Sequence, residues 1–274
     1  MRVSMWHNNH DIRLEEVPTP SPGPGEILVK VQACGICGSD IVEWYRLPRA
    51  PLVQGHEVGV EVVETGDGVT RFTPGDRLFI APKVPCLECD YCKRGHHPQC
   101  TSVEDRLPGG FAEYMVVPRE LVAKGSYRLP DQLTFDQATF IEPLACVVRA
   151  QRLAGIERGQ TLLVLGAGMS GLLHVKLARL KGCRVIATDI NPWRLELARR
   201  MGADHVFDAA SDVPTQVIQA NDGKVDAVMV TTSALPALEQ AWASVDMGGV
   251  VALFTVPGPE QDVVVPLNDF WRKE

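Results

Sequence analysis

No apolar run in this 274-residue chain approaches the roughly 18 residues that a membrane-spanning helix needs. Its lysines and arginines are scattered rather than clustered, and its formal charge is −7, so neither a nucleic-acid footprint nor a polybasic membrane patch is expected. Internal repeats and low-complexity tracts are also lacking, as is a charged-then-apolar leader at Met1. Eight cysteines occur without the framework of a secreted disulfide scaffold, which fits a reducing, cytoplasmic setting. What is there is an ordinary globular composition, 45% apolar, on a chain long enough for two domains with separate cores.

Cys86, Cys89, Cys92 and Cys100 are the most informative residues present. They share one short polar stretch interrupted by Pro85, Tyr91, Gly95 and Pro98, so the chain can fold back and bring four thiolates to one point, as a closed tetrahedral zinc site requires. A disulfide knot would need an oxidising exterior that nothing else in the sequence supports. Spacing leaves one variant open, in which His96 or His97 replaces Cys100 as the fourth ligand.

Up to about residue 130, short β-rich runs (27–33, 58–63 and 111–117) are broken by glycine and proline, the pattern of a mostly antiparallel β domain. Over 134–154 the spacing turns helical, with Ala138, Ile141, Ala145 and Val148 on one face, and this helix is the expected bridge between domains 1–145 and 146–274. From Thr161 onward strand and helix alternate. Segments 162–165, 184–188, 205–207, 226–230 and 250–254 read as strands, the third of them weak, which predicts a doubly wound parallel sheet with right-handed crossovers. One intervening helix is specified locally by Asn191 as cap, Pro192 in the first turn, a buried stripe of Leu195, Ala198 and Met201, and a terminating Gly202.

Gly166, Gly168 and Gly171 form GxGxxG between an apolar strand and a helix that contains Leu173, Leu177 and Leu180. The first glycine permits a tight turn, the second lets backbone approach a pyrophosphate, and the third allows helix to pack closely on strand. Together with Met169 and Ser170 at the helix start, this loop would present free N–H groups to anionic oxygens. Methyltransferases and flavoproteins carry similar glycines, so the loop alone leaves the nucleotide open. The next strand ends at Asp189, near the roughly 20-residue interval at which a carboxylate meets the ribose hydroxyls of NAD. A carboxylate repels a 2′-phosphate, and Arg194 follows only a helical turn later, so NAD is expected over NADP.

A second constellation begins with Cys37 in the run Cys34-Gly35-Ile36-Cys37-Gly38-Ser39-Asp40. Strand, CxxC and short helix also suit a thiol–disulfide pair. Against that reading stand Gly55-His56-Glu57 and Glu142 before Pro143, because thiol, imidazole and carboxylate together make an open zinc site plausible.

Five motifs occur in order: a proline-glycine opening from Pro22 to Glu26, the cysteine before Gly38-Ser39-Asp40, Gly55-His56-Glu57, the four-cysteine lobe and the dinucleotide loop. On these motifs the chain resembles zinc-containing medium-chain alcohol and polyol dehydrogenases over essentially its whole length. The resemblance implies a GroES-like catalytic domain followed by a Rossmann domain. It implies a catalytic zinc on Cys37 and His56, with Glu57 as ligand or neighbouring carboxylate, and a structural zinc in the quartet. Glu142 stands where many alcohol dehydrogenases have a third cysteine, which is similar to the sorbitol and threonine dehydrogenase branch. Ser39 would relay the proton of a small-molecule secondary alcohol, a polyol or hydroxy amino acid, whose hydride passes to NAD. Cys34 then becomes a neighbour of the site, and Cys146 and Cys183 become packing residues. Full-length relatives of this kind are homodimers or homotetramers.

Three departures accompany the resemblance. Val42 stands five residues after Cys37, where many members place a relay histidine, so the proton would leave through water or Glu43. Gly59 comes one position early, which a different local turn would explain. Relatives add a sixth strand and return to the first domain, so a chain that stops at Glu274 is expected to lack that last strand. Two rival readings follow: a zinc-free reductase of the same superfamily, and a zinc-stabilised dinucleotide-binding protein with impaired catalysis. Trp44 and Phe111 are candidates for the wall of an alcohol pocket, or for core.

Overall fold

A computed structural model of the chain describes residues 1–103 and 105–272. These residues fall into two compact units, Met1–Pro143 and Leu144–Glu274. No described helix is long and apolar enough to cross a membrane.

The first unit is built from antiparallel strands: β1 (Arg2–Asn8), β2 (Asp11–Glu16), β3 (Ile27–Gly35), β4 (Leu52–Val53), β5 (Glu57–Thr65), β6 (Arg77–Ile80), β7 (Tyr114–Val117) and β8 (Ser126–Arg128). They form a small sheet in the order β2-β1-β4 and a larger one in the order β7-β3-β5-β6-β8. Alternate residues of the central strands, Val58, Val60 and Val62 on β5 and Ile27 and Val29 on β3, are fully buried together with Leu78, Ile80 and Val117. This is the period-two pattern of a sheet with one face in the core. Short helices α1 (Glu43–Arg46), α2 (Asp90–Lys93) and α3 (Phe135–Ala138) punctuate the loops. Gly59 lies within β5 and marks no turn. A Cβ there would sit 2.7 Å from the carbonyl oxygen of Phe135, so the glycine lets α3 lie against the strand.

The helix expected over 134–154 is two helices. A reciprocal capping box, in which Thr134 Oγ1 accepts from Gln137 N (3.1 Å) and Gln137 Oε1 accepts from Thr134 N (3.0 Å), starts α3. The chain restarts as α4 (Ile141–Leu153), where Pro143 in the first turn leaves no helical hydrogen bond unmade. That restart shifts the buried face to Pro143, Val147 and Gln151, four residues apart, and leaves Ala145 and Val148 exposed. Cys146, expected to pack, is also exposed, whereas Cys183 is buried.

In the second unit β9 (Thr161–Leu165), β10 (Arg184–Asp189), β11 (His205–Asp208), β12 (Val225–Val230) and β13 (Val245–Leu253) form one parallel sheet, ordered β11-β10-β9-β12-β13. Helices α5 (Met169–Lys181), α6 (Pro192–Met201), α7 (Val213–Asn221) and α8 (Leu235–Ser244) connect the strands, and α9 (Leu267–Phe270) follows. Two buried clusters hold this sheet between its helices, one around Val164, Val185 and Met229 and one around Leu163, Ile186 and Val228. This strand order reverses beside β9, so the crevice at its carboxyl end is where ligands of such sheets bind. The fifth strand starts five residues earlier than the sequence pattern indicated, because Gly248, at φ 68°, and a register shift interrupt its apolar run. Asn191 caps α6 as expected, accepting from Trp193 N at 2.9 Å, but Met201 is 37% exposed and the buried member of the stripe is Ala198.

The buried face of α5 holds a residue that hydrophobic periodicity passes over. His174 is fully buried, with its ring edge-on to Phe254 at 4.8 Å between centroids, and Gln151 Nε2 donates to its carbonyl oxygen at 2.9 Å. Burial, aided by the charge of Lys181, depresses the imidazole to about 4. Between that value and the ordinary 6.5 of the unfolded chain, the unfolded state binds the extra proton. Stability therefore falls as pH drops through this window, by on the order of 3 kcal/mol in all. Denaturant titrations from pH 7 to pH 4 measure the slope, and His174→Leu is expected to flatten it.

Candidate active site

Strand β3 delivers Cys34, then a single 3-10 turn over Gly38–Ile41 follows Cys37, which acts as its cap. Asp40 Oδ2 accepts the N–H of Cys37 at 3.0 Å, and Cys37 Sγ accepts the N–H of Ser39 at 3.5 Å, so the turn fixes the thiol against the backbone. Gly55, at φ 94°, turns the chain into β5 and places His56 and Glu57 beside that thiol. The donor atoms of Cys37, His56 and Glu57 all lie within 4.8 Å of one another. Opposite Glu57, a Cβ on Gly35 would sit 2.1 Å from Glu57 Oε2, so the glycine makes room for the carboxylate.

Asp40 holds the group together. It is 3% exposed, and its Oδ1 lies 3.5 Å from His56 Nδ1 and 3.0 Å from Arg46 Nη2. Arg46 also donates from Nη2 to Ser39 Oγ at 3.0 Å and from Nε to Ser39 O at 3.1 Å. Asp40 and then Cys37 push the His56 imidazole up to about 10, so ligation of a metal by that ring releases a proton. Burial raises Glu57 as well, with His56 opposing the shift and Glu142 adding to it. Glu57 Oε1 is buried and has no hydrogen-bond partner among the described residues, which is an acceptor position suited to a cation. A soft thiol, an imidazole and a carboxylate form a donor set that zinc takes. Glu142 interacts electrostatically with Glu57 but is not part of the three-residue group.

Residues around this group have separate tasks. Cys34 forms no pair with Cys37; its Sγ packs where Cβ atoms on Gly55 and Gly110 would lie, and burial pushes the thiol up to about 12. Glu43 accepts the N–H of Asn9 at 3.0 Å and is thereby tied to the β1–β2 hairpin. Trp44 is half exposed, and Phe111 sits against Gly55. Sequence reasoning gave no role to Asp40 or Arg46, although an aspartate three residues after the cysteine is a capping-box signal.

The quartet forms a separate four-thiol cluster in which Cys86, Cys89, Cys92 and Cys100 come within 4.8 Å of one another. Among the described residues this cluster includes Cys100 and neither His96 nor His97. Leu87 adopts φ 61°, unusual for a branched residue, and turns the chain so that Cys89 N donates to Cys86 Sγ and Cys86 N to Cys100 Sγ, each at 3.3 Å. Backbone N–H groups of Thr101 and Cys92 hold the Cys89 thiol down at about 6. Cys100 is lowered as well, by the N–H of Cys86, while burial pushes Cys92 up to about 12; four clustered sulfurs of this kind suit a closed metal site.

In the second unit the glycines behave as their spacing predicts. Gly166 turns at φ 99°, a Cβ on Gly171 would sit 1.9 Å from Gly166 O, and a Cβ on Gly168 would meet nothing within 4 Å. Gly168 caps α5, whose first residues are Met169 and Ser170, so the open space at its Cα faces the helix start that would cradle a pyrophosphate. Asp189 Oδ2 accepts the N–H of Ala167 at 2.8 Å and lies 3.6 Å from Arg194 Nη1, while Oδ1 accepts the N–H of Asn191 at 2.9 Å. Thr231 at the end of β12, a residue the motif does not contain, donates to Gly166 O at 2.6 Å. Gly168→Ala is therefore expected to keep the thermal midpoint within about 2 °C and to weaken dinucleotide binding by roughly tenfold or more, whereas Gly171→Ala lowers the midpoint itself. Calorimetric unfolding and dinucleotide titration of the two variants separate these effects.

Comparison with known proteins agrees with this geometry. The alcohol dehydrogenase GroES-like domain family matches residues 23–131, and the zinc-binding dehydrogenase family matches residues 171–274. A sorbitol dehydrogenase of Bacillus subtilis (strain 168) is 33% identical over 282 residues, spanning 98% of this chain and 78% of that protein. An L-threonine 3-dehydrogenase of Pyrococcus furiosus is 38% identical over 252 residues, spanning 88% and 71%. The crystal structure of a zinc-binding dehydrogenase from Sinorhizobium meliloti 1021, bound to NADP, superposes with a TM-score of 0.86 at 32% identity, covering 98% of this chain and 80% of that one. With the alcohol dehydrogenase GroES-like domain and the zinc-binding dehydrogenase family matched in order and both folds present, this chain belongs to the zinc-containing medium-chain alcohol and polyol dehydrogenases.

Proposed function

We propose that this oxidoreductase removes a hydride from a secondary alcohol, a polyol or hydroxy amino acid, and passes it to NAD. Cys37, His56 and Glu57 would hold a catalytic zinc, with Glu142 as the nearby carboxylate, and the quartet of Cys86, Cys89, Cys92 and Cys100 a structural one. The carrying observation is the convergence of Cys37, His56 and Glu57 on one point, backed by the buried Asp40. Bound there, zinc supplies Lewis acidity that makes the substrate hydroxyl more acidic.

The residues of the chain do the remaining work. Ser39 Oγ, with one lone pair engaged by Arg46, would take the hydroxyl proton while its own O–H passes a proton outward. Loss of that proton and transfer of the hydride convert CH–OH to C=O, leaving reduced nicotinamide and one proton. Glu43, tied to Asn9, is a poor exit, which favours water as the next acceptor beyond Val42. Gly166, Gly168, Met169, Ser170 and Gly171 would bind the pyrophosphate, and Asp189 the ribose hydroxyls. Asp189 also pairs with Arg194, which reduces the guanidinium's availability to a 2′-phosphate and supports NAD over NADP.

Reduction of NAD followed by absorbance across polyols, simple alcohols and threonine tests the reading. The zinc-loaded chain is expected to prefer NAD to NADP by on the order of tenfold in kcat/KM. Cys37→Ser should cost roughly 100-fold, and Cys34→Ser little. Absence of turnover with every alcohol would defeat the reading, and equal loss in the two cysteine variants would favour a thiol pair instead.

A further inference from the structure

Beside the ligand group lies a cluster that the proposed chemistry leaves unused. The ring of Tyr45, about half exposed, has the guanidinium of Arg49 4.5 Å from its centroid and that of Arg46 at 5.3 Å. Its phenol is within hydrogen-bond reach of Arg49, and Arg106 brings a third positive charge from a separate segment. Trp44 stands edge-on to the same ring, with centroids 6.1 Å apart, and is itself 49% exposed.

These cations are not equivalent. Arg46 is the inner one, almost buried and spent on Ser39 and Asp40. Arg49 donates to the carbonyl oxygen of Tyr45 at 3.1 Å and otherwise meets only that residue's ring and phenol, and neither Arg49 nor Arg106 has a carboxylate partner among the described residues. Glu43, the acid on the same short helix, is committed to Asn9. In a chain of net charge −7, two exposed guanidinium groups left without a counter-ion form a local positive field. Planar guanidinium forks match carboxylate and phosphate oxygens alike. Arg46 joins this field to the chemistry, since it touches Ser39 Oγ and its other side lies over Tyr45. Arg49 is thus three contacts from Ser39 Oγ, the hydroxyl proposed to take the substrate's proton. The half-exposed Trp44 offers apolar wall to the carbon chain between.

We propose that Tyr45, Arg49 and Arg106 form an anion subsite, and that the alcohol oxidised here carries a carboxylate or phosphate group away from the carbon that loses its hydride. This rests on the dehydrogenase reading and narrows its substrate class.

Initial rates with substrate pairs differing only in the terminal group test it: sorbitol against sorbitol 6-phosphate, and sorbitol against gluconate. At least one charged member should be preferred by about tenfold or more in kcat/KM, and which one identifies the anion. In Arg49→Ala and Arg106→Ala that preference should shrink towards unity, Arg49→Lys should retain part of it, and Arg13→Ala, on the β1–β2 hairpin, should leave the ratio as it is. Inorganic phosphate should compete with the charged substrate in the parent protein and lose most of its effect in Arg49→Ala. Turnover of neutral polyols as good as that of charged ones overturns the subsite and leaves the dehydrogenase reading standing. So does an Arg49→Ala variant that raises KM for NAD while preserving the charged-to-neutral ratio. No reduction with any substrate, charged or neutral, overturns both.

Discussion

Burying a carboxylate costs several kcal/mol unless donors surround it, and Asp40 is almost completely buried. The chain meets that demand from three places: the N–H of Cys37, the guanidinium of Arg46 and the imidazole of His56. Each donor is therefore fixed relative to the others, although they come from a strand end, a short helix and the entry to β5. Arg46 supplies part of the compensating charge, and a metal that displaced the second proton of His56 would leave the ring a neutral donor through Nδ1 with its other nitrogen free to ligate. The thiol, the imidazole and the serine hydroxyl are all positioned by this one buried acid.

A comparable economy operates in the second unit. Asp189 is buried at the end of β10 and spends one oxygen on Ala167 in the glycine loop and the other on Asn191, which caps α6. The residue proposed to meet ribose thus also sets the loop that would meet the pyrophosphate. Gly171 completes the arrangement, because only a residue without Cβ lets α5 start so close to the turn at Gly166. The four-cysteine lobe differs in kind. A metal closed by four sulfurs leaves no position for substrate, and its contribution, on the order of 10 kcal/mol, would go into ordering a loop with little core of its own.

Motif spacing made the chemistry legible before the fold. Cys37 is separated in sequence from His56 and Glu57, but they carry neighbours, Gly35 and Gly55, of which the first leaves room for the Glu57 carboxylate and the second turns the chain at φ 94°. The alternating strands of the second unit were equally visible, since β9 and β12 are apolar at nearly every position. Boundaries hidden by local breaks were not. Two helices that break at Thr139 and Phe140 look like one periodic stretch, and the restart moved the buried face from Ala145 and Val148 to Val147 and Gln151. Polar residues that work through burial were also illegible. Nothing in periodicity distinguishes His174 from a surface histidine, and Arg46 gains its place only when a tertiary turn brings it to Ser39.

Zinc content per chain, determined by atomic absorption on the parent protein and on Cys37→Ala, tests most directly the claim that two thiol-containing sites have separate duties. Two zinc ions in the parent and one in the variant, with the variant's thermal midpoint nearly intact, is the predicted result. A single zinc in the parent that survives Cys37→Ala would contradict the account, because the group built around Asp40 would then hold no metal.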